Sequence, residues 1–229
     1  MMTEFQTAIQ NALSPMADPA RAPAMRAYMR DHFPFLGIPT PTRRAACKAL
    51  LKVAPPSPHQ LLERAYTLWD MPEREYQYVA IDLLARHWKI LSVADLPALL
   101  TLASSKSWWD SVDGLAGVVG DLVRRASNDA TTLAPALGHM EQALHHPDCW
   151  RRRIAMLHQL GWGMATDSAR LFAYARTLAH EEEFFIRKAI GWALRDYAWH
   201  APDTVRAFLL EMGTALSPLT RREAGKHLG

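Results

Sequence analysis

The sequence predicts an all-α protein, a single domain of residues 1–229 in which successive helices pair along the chain. Almost no segment alternates with the period of two that a half-buried strand requires, so we expect no strands. The apolar segments are long enough for helices and are separated by prolines, which cannot propagate a helix. The sequence therefore predicts many short helices rather than a few long ones.

The opening segment of the chain predicts three helices, over residues 1–21, 22–32 and 43–53. Pro15 and Pro19 break the first of them. Between the second and the third, the segment Phe33–Pro41 holds three prolines and a glycine and is predicted to be a loop. Thr42 then provides a suitable N-cap for the third helix.

Beyond Pro58 the sequence predicts helices in pairs. The predicted pairs are 60–69 with 73–89, 92–102 with 108–125, 133–145 with 150–161, 167–180 with 184–199, and 201–212 with 218–228. Pro72 is expected to lie in the first turn of its helix, where a proline is tolerated.

The second helices of these pairs open alike. Each begins with basic or aromatic residues and continues into an apolar stretch rich in small residues, as in segments 73–81, 149–157, 185–194 and 220–228. A repeat of two helices every 35–45 residues or so is typical of a HEAT-like α-solenoid, an α-α superhelix whose concave side forms a cleft. The alternative is an irregular helical bundle, in which the basic residues would scatter instead of lining a basic cleft.

The charge pattern favours a polyanionic partner. The formal net charge is only +3, but the pI is about 9.0 and basic residues recur in pairs. These clusters are Arg43-Arg44, Arg124-Arg125, Arg151-Arg152-Arg153, Arg187-Lys188 and Arg221-Arg222. Each pair alone is most often a solvated helix face, whereas their recurrence predicts a basic stripe.

Other features argue against membrane, secreted and metal-binding classes. No apolar run approaches the roughly 20 residues of a membrane-spanning helix, and the first residues do not resemble a secretory signal. Cys47 and Cys149 are far apart, which fits free thiols in a reducing cytosol. The three histidines of segment 139–146 lack a recognised ligand spacing with Cys149, so we expect no metal site. The expected location is therefore the cytosol.

The stretch Lys106–Asp113 places two tryptophans and two carboxylates within eight residues. At helical spacing Trp109 and Asp113 share a face, and Lys106 is expected one turn earlier on it. A carboxylate on an otherwise apolar helix is costly to bury alone, so Asp113 should have a cationic partner or face a cleft. For Trp108 a core role is favoured, and for Asp110 a role at the helix N-terminus is at least as good as a catalytic one.

Several strings in this chain resemble the AlkD family of DNA alkylation repair enzymes. They are Phe33–Pro41, Pro72–Tyr78, Lys106–Asp113, Phe184–Arg195 and Leu216–Ala224, and they occur in the order of the family. The resemblance runs from about Tyr28 to Leu228 and is highly specific, because none of these strings is a common local pattern.

The resemblance implies a DNA glycosylase built of HEAT-like repeats. Such an enzyme removes cationic N3- and N7-alkylpurines, such as 3-methyladenine and 7-methylguanine, from double-stranded DNA in base excision repair. It is monofunctional, leaves an abasic site, needs no metal or organic cofactor, and acts with the lesion still stacked. The family's catalytic aspartate matches Asp113 and its two cleft tryptophans match Trp109 and Trp192. A DNA-supporting arginine matches Arg153, with Arg152 as the nearest competitor, and a tyrosine at the cleft edge matches Tyr28.

The residue types suit that chemistry. An alkylated purine that already carries a positive charge leaves without protonation, so one carboxylate that stabilises the developing sugar cation is sufficient. Tryptophan faces attract cations, which suits Trp109 and Trp192, although Trp192 could also be a core residue of its helix. The expected phosphate contacts, which position DNA without reading its sequence, are Arg153, Lys188, Arg44, Arg221 and Arg222.

Two other functions stay open at this point. One is a non-catalytic DNA-binding HEAT-repeat protein that keeps the basic cleft, and the other is a scaffold for protein partners, the usual role of α-solenoids. A monomer without an obligate protein partner would suffice for the glycosylase. The sequence leaves undecided the preference among 3-methyladenine, 7-methylguanine and bulky adducts, which basic residues touch phosphates, and the oligomeric state.

Overall fold

A computed structural model gives the structure of the chain and describes residues 2–228, so that Met1 and Gly229 lie outside it. Over the described range it contains thirteen α-helices and no strand, which confirms the all-α prediction. Two compact units follow one another, Met1–Ser92 and Val93–Gly229. The organisation of the whole chain as one domain stays a prediction.

The first unit contains five helices: α1 (Glu4–Leu13), α2 (Ala22–Tyr28), α3 (Thr40–Lys52), α4 (Pro58–Asp70) and α5 (Arg74–His87). Helix α4 packs against α5, and α3 packs against both α1 and α5. Helix α4 packs on α5, and Leu61 and Leu68 of α4 and Leu83 of α5 are fully buried. Burial of this apolar area drives the pairing.

A buried carboxylate shapes the proline-rich loop of the first unit. Glu75, near the start of α5, has no exposed surface. It accepts hydrogen bonds from three consecutive backbone amides, those of Leu36, Gly37 and Ile38, at 2.9–3.0 Å. The neighbouring guanidinium of Arg74, also fully buried, lies 3.8 Å from the centre of the Phe33 ring. The loop and the start of α5 therefore hold each other in place, which gives these two sequence strings a structural role.

Helix α1 ends at Leu13, whereas the sequence predicted a helix over residues 1–21, and three further boundaries in this unit differ from the predictions. Helix α2 ends at Tyr28 and not at residue 32, because Arg30 and Asp31 adopt left-handed backbone angles, with φ of 54° and 60°. Helix α3 begins at Thr40, with Pro39 rather than Thr42 as its N-cap residue, because a proline is tolerated in the first helical turn. Helix α5 begins at Arg74, so Pro72 lies before the helix and not in its first turn.

The second unit contains eight helices: α6 (Leu96–Ala103), α7 (Trp109–Ala126), α8 (Ala130–Leu144), α9 (Cys149–Leu157), α10 (Ser168–Leu178), α11 (Phe184–Ala198), α12 (Pro202–Met212) and α13 (Pro218–Ala224). Within this unit, the second helix of each predicted pair packs against the second helix of the next pair: α7 against α9, α9 against α11, and α11 against α13. Side-by-side stacking of this kind is what a two-helix repeat requires.

Two glycines allow this row of helices to pack closely. A Cβ atom at Gly120 of α7 would lie 2.0 Å from the backbone oxygen of His158, the residue that ends α9. A Cβ atom at Gly191 of α11 would lie 2.5 Å from the Cβ of Glu223 on α13. Any larger residue would push these helices apart, so both positions fix the spacing of the row.

Candidate functional site

Helix α7 carries Trp109 and Asp113 on a face that is only partly buried. Its apolar positions Val112, Leu115 and Val119 are completely buried at helical spacing, whereas both predicted site residues are only partly buried. Lys106 lies outside the helix, contrary to the expectation from spacing, because it has a left-handed φ of 48° and the helix begins three residues later.

Asp113 has the cationic partner that its position requires. Arg153, on α9, donates from Nε to one carboxylate oxygen at 2.7 Å and from Nη2 to the other at 2.8 Å. The arginine side chain is 1% exposed, while the aspartate side chain is 23% exposed. The pair is therefore buried on the arginine side and open to the surface on the carboxylate side. A bidentate geometry of this kind is the strongest form of an arginine–carboxylate ion pair.

A third hydrogen bond fixes Arg153 on the side away from Asp113. Its Nη1 donates to the backbone oxygen of Phe185, in the first turn of α11. One guanidinium thus joins α7, α9 and α11. Because the Arg153 side chain is almost completely buried, it can affect a bound molecule only through Asp113 and the neighbouring residues.

The protonation of Asp113 is set by two opposing effects. Burial is the larger one and raises the pKa of the carboxyl group above its ordinary value, while the hydrogen bonds and charge of Arg153 lower it. The nearby carboxylate of Asp110 adds a smaller upward effect on this pKa. Arg153 therefore favours the charged form of Asp113 against the cost of burial.

Trp192, on α11, lies within a cluster of cations. Its ring centre is 5.3 Å from the Cζ atom of Arg153, 5.3 Å from the Nζ atom of Lys188 and 6.0 Å from the Cζ atom of Arg195. The tryptophan is partly exposed and is not a core residue of its helix. Through Arg153 it belongs to the same site as Asp113.

An aromatic cluster supports the site from one side. Trp108 contacts Phe185 edge-on, with ring centres 4.9 Å apart, and Trp150 lies 4.9 Å from Phe185 and 5.7 Å from Trp108. These rings pack around the start of α7, α9 and α11, and the packing role predicted for Trp108 agrees with its contacts. The sequence interpretation did not single out Trp150 or Phe185, although both open second helices of the repeat.

The neighbouring arginines Arg152 and Arg153 have different partners. Arg152 binds Glu181, with Nε and Oε1 2.6 Å apart, and donates to the backbone oxygens of His146 and Pro147. It therefore anchors the loop before α9. Arg153 alone of the two reaches Asp113.

The other predicted DNA-contact residues lie on the surface or in ion pairs. In the first unit, Tyr28 is 71% exposed, and Arg44 is exposed while bound to Asp82 at 3.1 Å. In the second unit, Arg221 and Arg222 are exposed on α13, and Lys188 is bound to Glu223. Their contacts with DNA stay predictions.

Over residues 2–228, no group of three His, Cys, Asp or Glu side chains is placed to hold a metal ion. Within the same residues, no helix combines the length and the apolar character needed to cross a membrane.

Comparison with known proteins decides the family. The model of the DNA alkylation repair enzyme family matches residues 9–228, nearly the whole chain. The chain belongs to the DNA alkylation repair enzyme family. Family membership makes DNA its substrate and confirms the resemblance found in the sequence strings.

Two solved structures illustrate the relationship of this repair enzyme to others. A predicted DNA alkylation repair enzyme from Enterococcus faecalis is 35% identical, with a TM-score of 0.83 over 93% of this chain and 97% of the other. AlkD2 from Streptococcus mutans is 17% identical and shares the fold, with a TM-score of 0.59 over 79% of this chain and 87% of the other. The predicted fold is thereby confirmed. No curated protein matched the sequence.

The Asp113–Arg153 pair should contribute strongly to the stability of this repair enzyme. We expect Arg153→Met to lower the free energy of unfolding by about 3 kcal/mol, because it leaves a half-buried carboxylate without a partner. The double variant Arg153→Met/Asp113→Asn should regain part of that loss, since no buried charge remains. Urea unfolding at neutral pH measures both effects.

The matched control is Arg176→Met, which breaks an exposed pair with Glu211 at 2.8 Å. It should cost less than about 1 kcal/mol. An equal cost for both arginine variants would contradict the structural role assigned to Arg153.

Proposed function

We propose that this repair enzyme is a monofunctional DNA glycosylase, which hydrolyses the N-glycosidic bond of N3- and N7-alkylpurines in double-stranded DNA and leaves an abasic site. The observation that carries the proposal is the partly exposed carboxylate of Asp113, fixed by Arg153 beside Trp192, in a chain of the DNA alkylation repair family. We infer 3-methyladenine and 7-methylguanine as the substrate bases.

The proposed reaction needs one negative charge at the right place. An alkylated purine with a positive charge departs as a neutral base, and the deoxyribose becomes cation-like as the bond to it lengthens. A fixed carboxylate stabilises that developing charge without having to reorganise. Asp113 is the candidate for this role, and no proton donor to the leaving base is required.

The ion pair with Arg153 leaves Asp113 able to act. Each carboxylate oxygen accepts one hydrogen bond from the arginine, and each can accept further bonds. Because the guanidinium is buried and the carboxylate is partly exposed, the open side of Asp113 faces away from its partner. A water molecule bound there would be oriented for attack on the sugar.

The two tryptophans would complete the sugar site. Trp109 lies one turn before Asp113 on the same helix face, and Trp192 is linked to Asp113 through Arg153. Indole faces favour a cationic sugar by roughly 0.5–2 kcal/mol, depending on how dry the site is. We therefore assign Trp109 and Trp192 to the binding of the deoxyribose.

DNA would be held through its phosphates. The exposed basic residues Arg44, Arg221 and Arg222 and the exposed ring of Tyr28 are our candidates, together with Lys188 beside Trp192. These contacts position the duplex and carry no sequence information. Water and the side chains named above supply the whole reaction, so we propose that it needs no cofactor and no protein partner, and that it proceeds at the chromosome in the bacterial cytosol.

Replacement of Asp113 tests the proposed reaction. We expect Asp113→Asn to bind a duplex containing 7-methylguanine about as well as the wild type but to release the base at least about 100-fold more slowly, because a preorganised charge is lost. The measurement is the single-turnover rate of base release. Asp121→Asn, the same change two turns later on α7, should leave the rate unchanged.

Unchanged release by Asp113→Asn would remove this residue from the mechanism. Binding without release by the wild type, on every alkylated duplex tried, would instead favour the alternative of a non-catalytic DNA-binding protein.

A second test concerns the surface beside Asp113. Gly117 lies one turn after Asp113 on α7 and is exposed, and a Cβ atom there would meet nothing within 4 Å. Gly138, within α8, is equally exposed and equally clear of neighbours. Replacing either glycine with leucine should raise the free energy of unfolding by about 0.5–1 kcal/mol, because glycine is a poor helix former.

Only Gly117→Leu should weaken binding of the alkylated duplex, by about tenfold or more, since its side chain would stand where DNA approaches Asp113. Fluorescence anisotropy with a labelled duplex measures the effect. Equal affinities for the two leucine variants would show that DNA does not approach this face.

A further inference from the structure

Another buried carboxylate, Glu223, is linked to Trp192 through two cations that they share. Glu223, on α13, is 3% exposed and lies within salt-bridge distance of three cations. Its Oε1 is 3.1 Å from Nζ of Lys188, and its Oε2 is 2.8 Å from Nζ of Lys226 and 3.4 Å from Nη1 of Arg195. The sequence interpretation passed over Glu223, although it is the one acidic residue in the basic segment 221–227.

Two of these three cations also lie against Trp192. Lys188 and Arg195 flank this tryptophan one helical turn before it and nearly one turn after it on α11, at 5.3 Å and 6.0 Å from its ring centre. Glu223 holds one nitrogen of each. The carboxylate therefore fixes the positions of two cations relative to the indole ring.

Glu223 is itself firmly placed. Helix α13 packs closely on α11, because a Cβ atom at Gly191 would lie 2.5 Å from the Cβ of Glu223. One turn before Glu223, the hydroxyl of Thr220 donates to the backbone oxygen of Arg187 at 3.0 Å. The carboxylate thus has little freedom to follow its partners if they move.

Glu223 is also charged throughout the physiological pH range. Burial alone would raise the pKa of its carboxyl group, but hydrogen bonds from Lys226 and Lys188 and the charges of both outweigh burial and lower the pKa to about 2. One constant negative charge therefore opposes three positive charges. Without it, Trp192 would stand beside an unbalanced cluster of cations.

Phosphate binding and stabilisation of the sugar cation require opposite electrostatic potentials at this cluster of cations. Excess positive charge attracts the DNA backbone, whereas the same charge repels a cation-like deoxyribose at the indole face. We propose that Glu223 is a positioning residue that holds Lys188 and Arg195 against Trp192 and limits their positive potential there. This inference rests on the proposed glycosylase function, because it assigns a role within that site.

The proposal predicts that binding and catalysis change in opposite directions in Glu223→Gln. We expect undamaged duplex DNA to bind about threefold to tenfold more tightly, because Lys188 and Arg195 become available to phosphates. Release of 7-methylguanine should become about tenfold slower in single turnover, because the cations now repel the sugar. Higher salt should reduce both differences.

Two further variants separate charge from packing. Glu223→Asp keeps the charge and should restore most of the release rate. Glu211→Gln removes a carboxylate that binds Arg176 on the surface of the same unit, and should change neither binding nor release by more than about twofold. A mainly structural role would instead lower thermal stability, binding and release together in Glu223→Gln, and that result would overturn the proposal.

If Glu223→Gln does not fold, Lys226→Met provides the test. Lys226 is exposed, so its removal should be tolerated, and it leaves Glu223 with fewer cations to balance. DNA should then bind more weakly while base release is no slower than in the wild type. Slower release in proportion to weaker binding would overturn the proposal.

The glycosylase function and the role of Glu223 would be refuted by different results. A wild type that releases no base would refute the glycosylase function. The affinity of Glu223→Gln for undamaged DNA, compared with that of Glu211→Gln, would still show whether Glu223 restrains the cations, and equal affinities would refute that role.

Discussion

Two hydrogen bonds from a buried guanidinium hold the carboxylate of Asp113, and three helices of the second unit meet at that guanidinium. Arg153 binds Asp113 on α7, comes from α9 and donates to a backbone oxygen on α11. A partly buried carboxylate is costly unless it is paired. In this protein Arg153 contacts Asp113 only from the buried side. The carboxylate is therefore held in place while its other side stays accessible.

The cations around Trp192 show how a basic surface can include a site for a cation. DNA binding requires positive charge, and the proposed chemistry requires a place where a cation-like sugar is not repelled. In the proposed mechanism two carboxylates together meet these requirements. Asp113 faces the sugar, and Glu223 partly neutralises the positive charge of Lys188, Arg195 and Lys226.

Periodicity and proline positions were enough to predict the all-α class and most of the helices, because both are local properties of the chain. The boundaries at Thr40 and Arg74 were missed, since a proline can lie in a first turn or just before it, and only the surrounding structure decides. The position of Asp113 on an otherwise apolar helix also predicted that this aspartate has a cationic partner or faces a cleft. The partner itself is 40 residues away, and Glu223 is 28 residues from Arg195, so both pairings depend on how helices stack and leave no local signal.

The most direct test of the proposed mechanism is the pH dependence of base release from two duplexes, one with 7-methylguanine and one with the neutral base hypoxanthine at the same position. If Asp113 acts by its charge alone, the rate for 7-methylguanine should fall at acidic pH, as the carboxylate is protonated at a pKa that burial raises, and then stay level up to neutral pH. Hypoxanthine should not be released. Release of hypoxanthine at a comparable rate, with a decline at alkaline pH, would reveal a general acid and contradict a mechanism that depends on the charge of the leaving base.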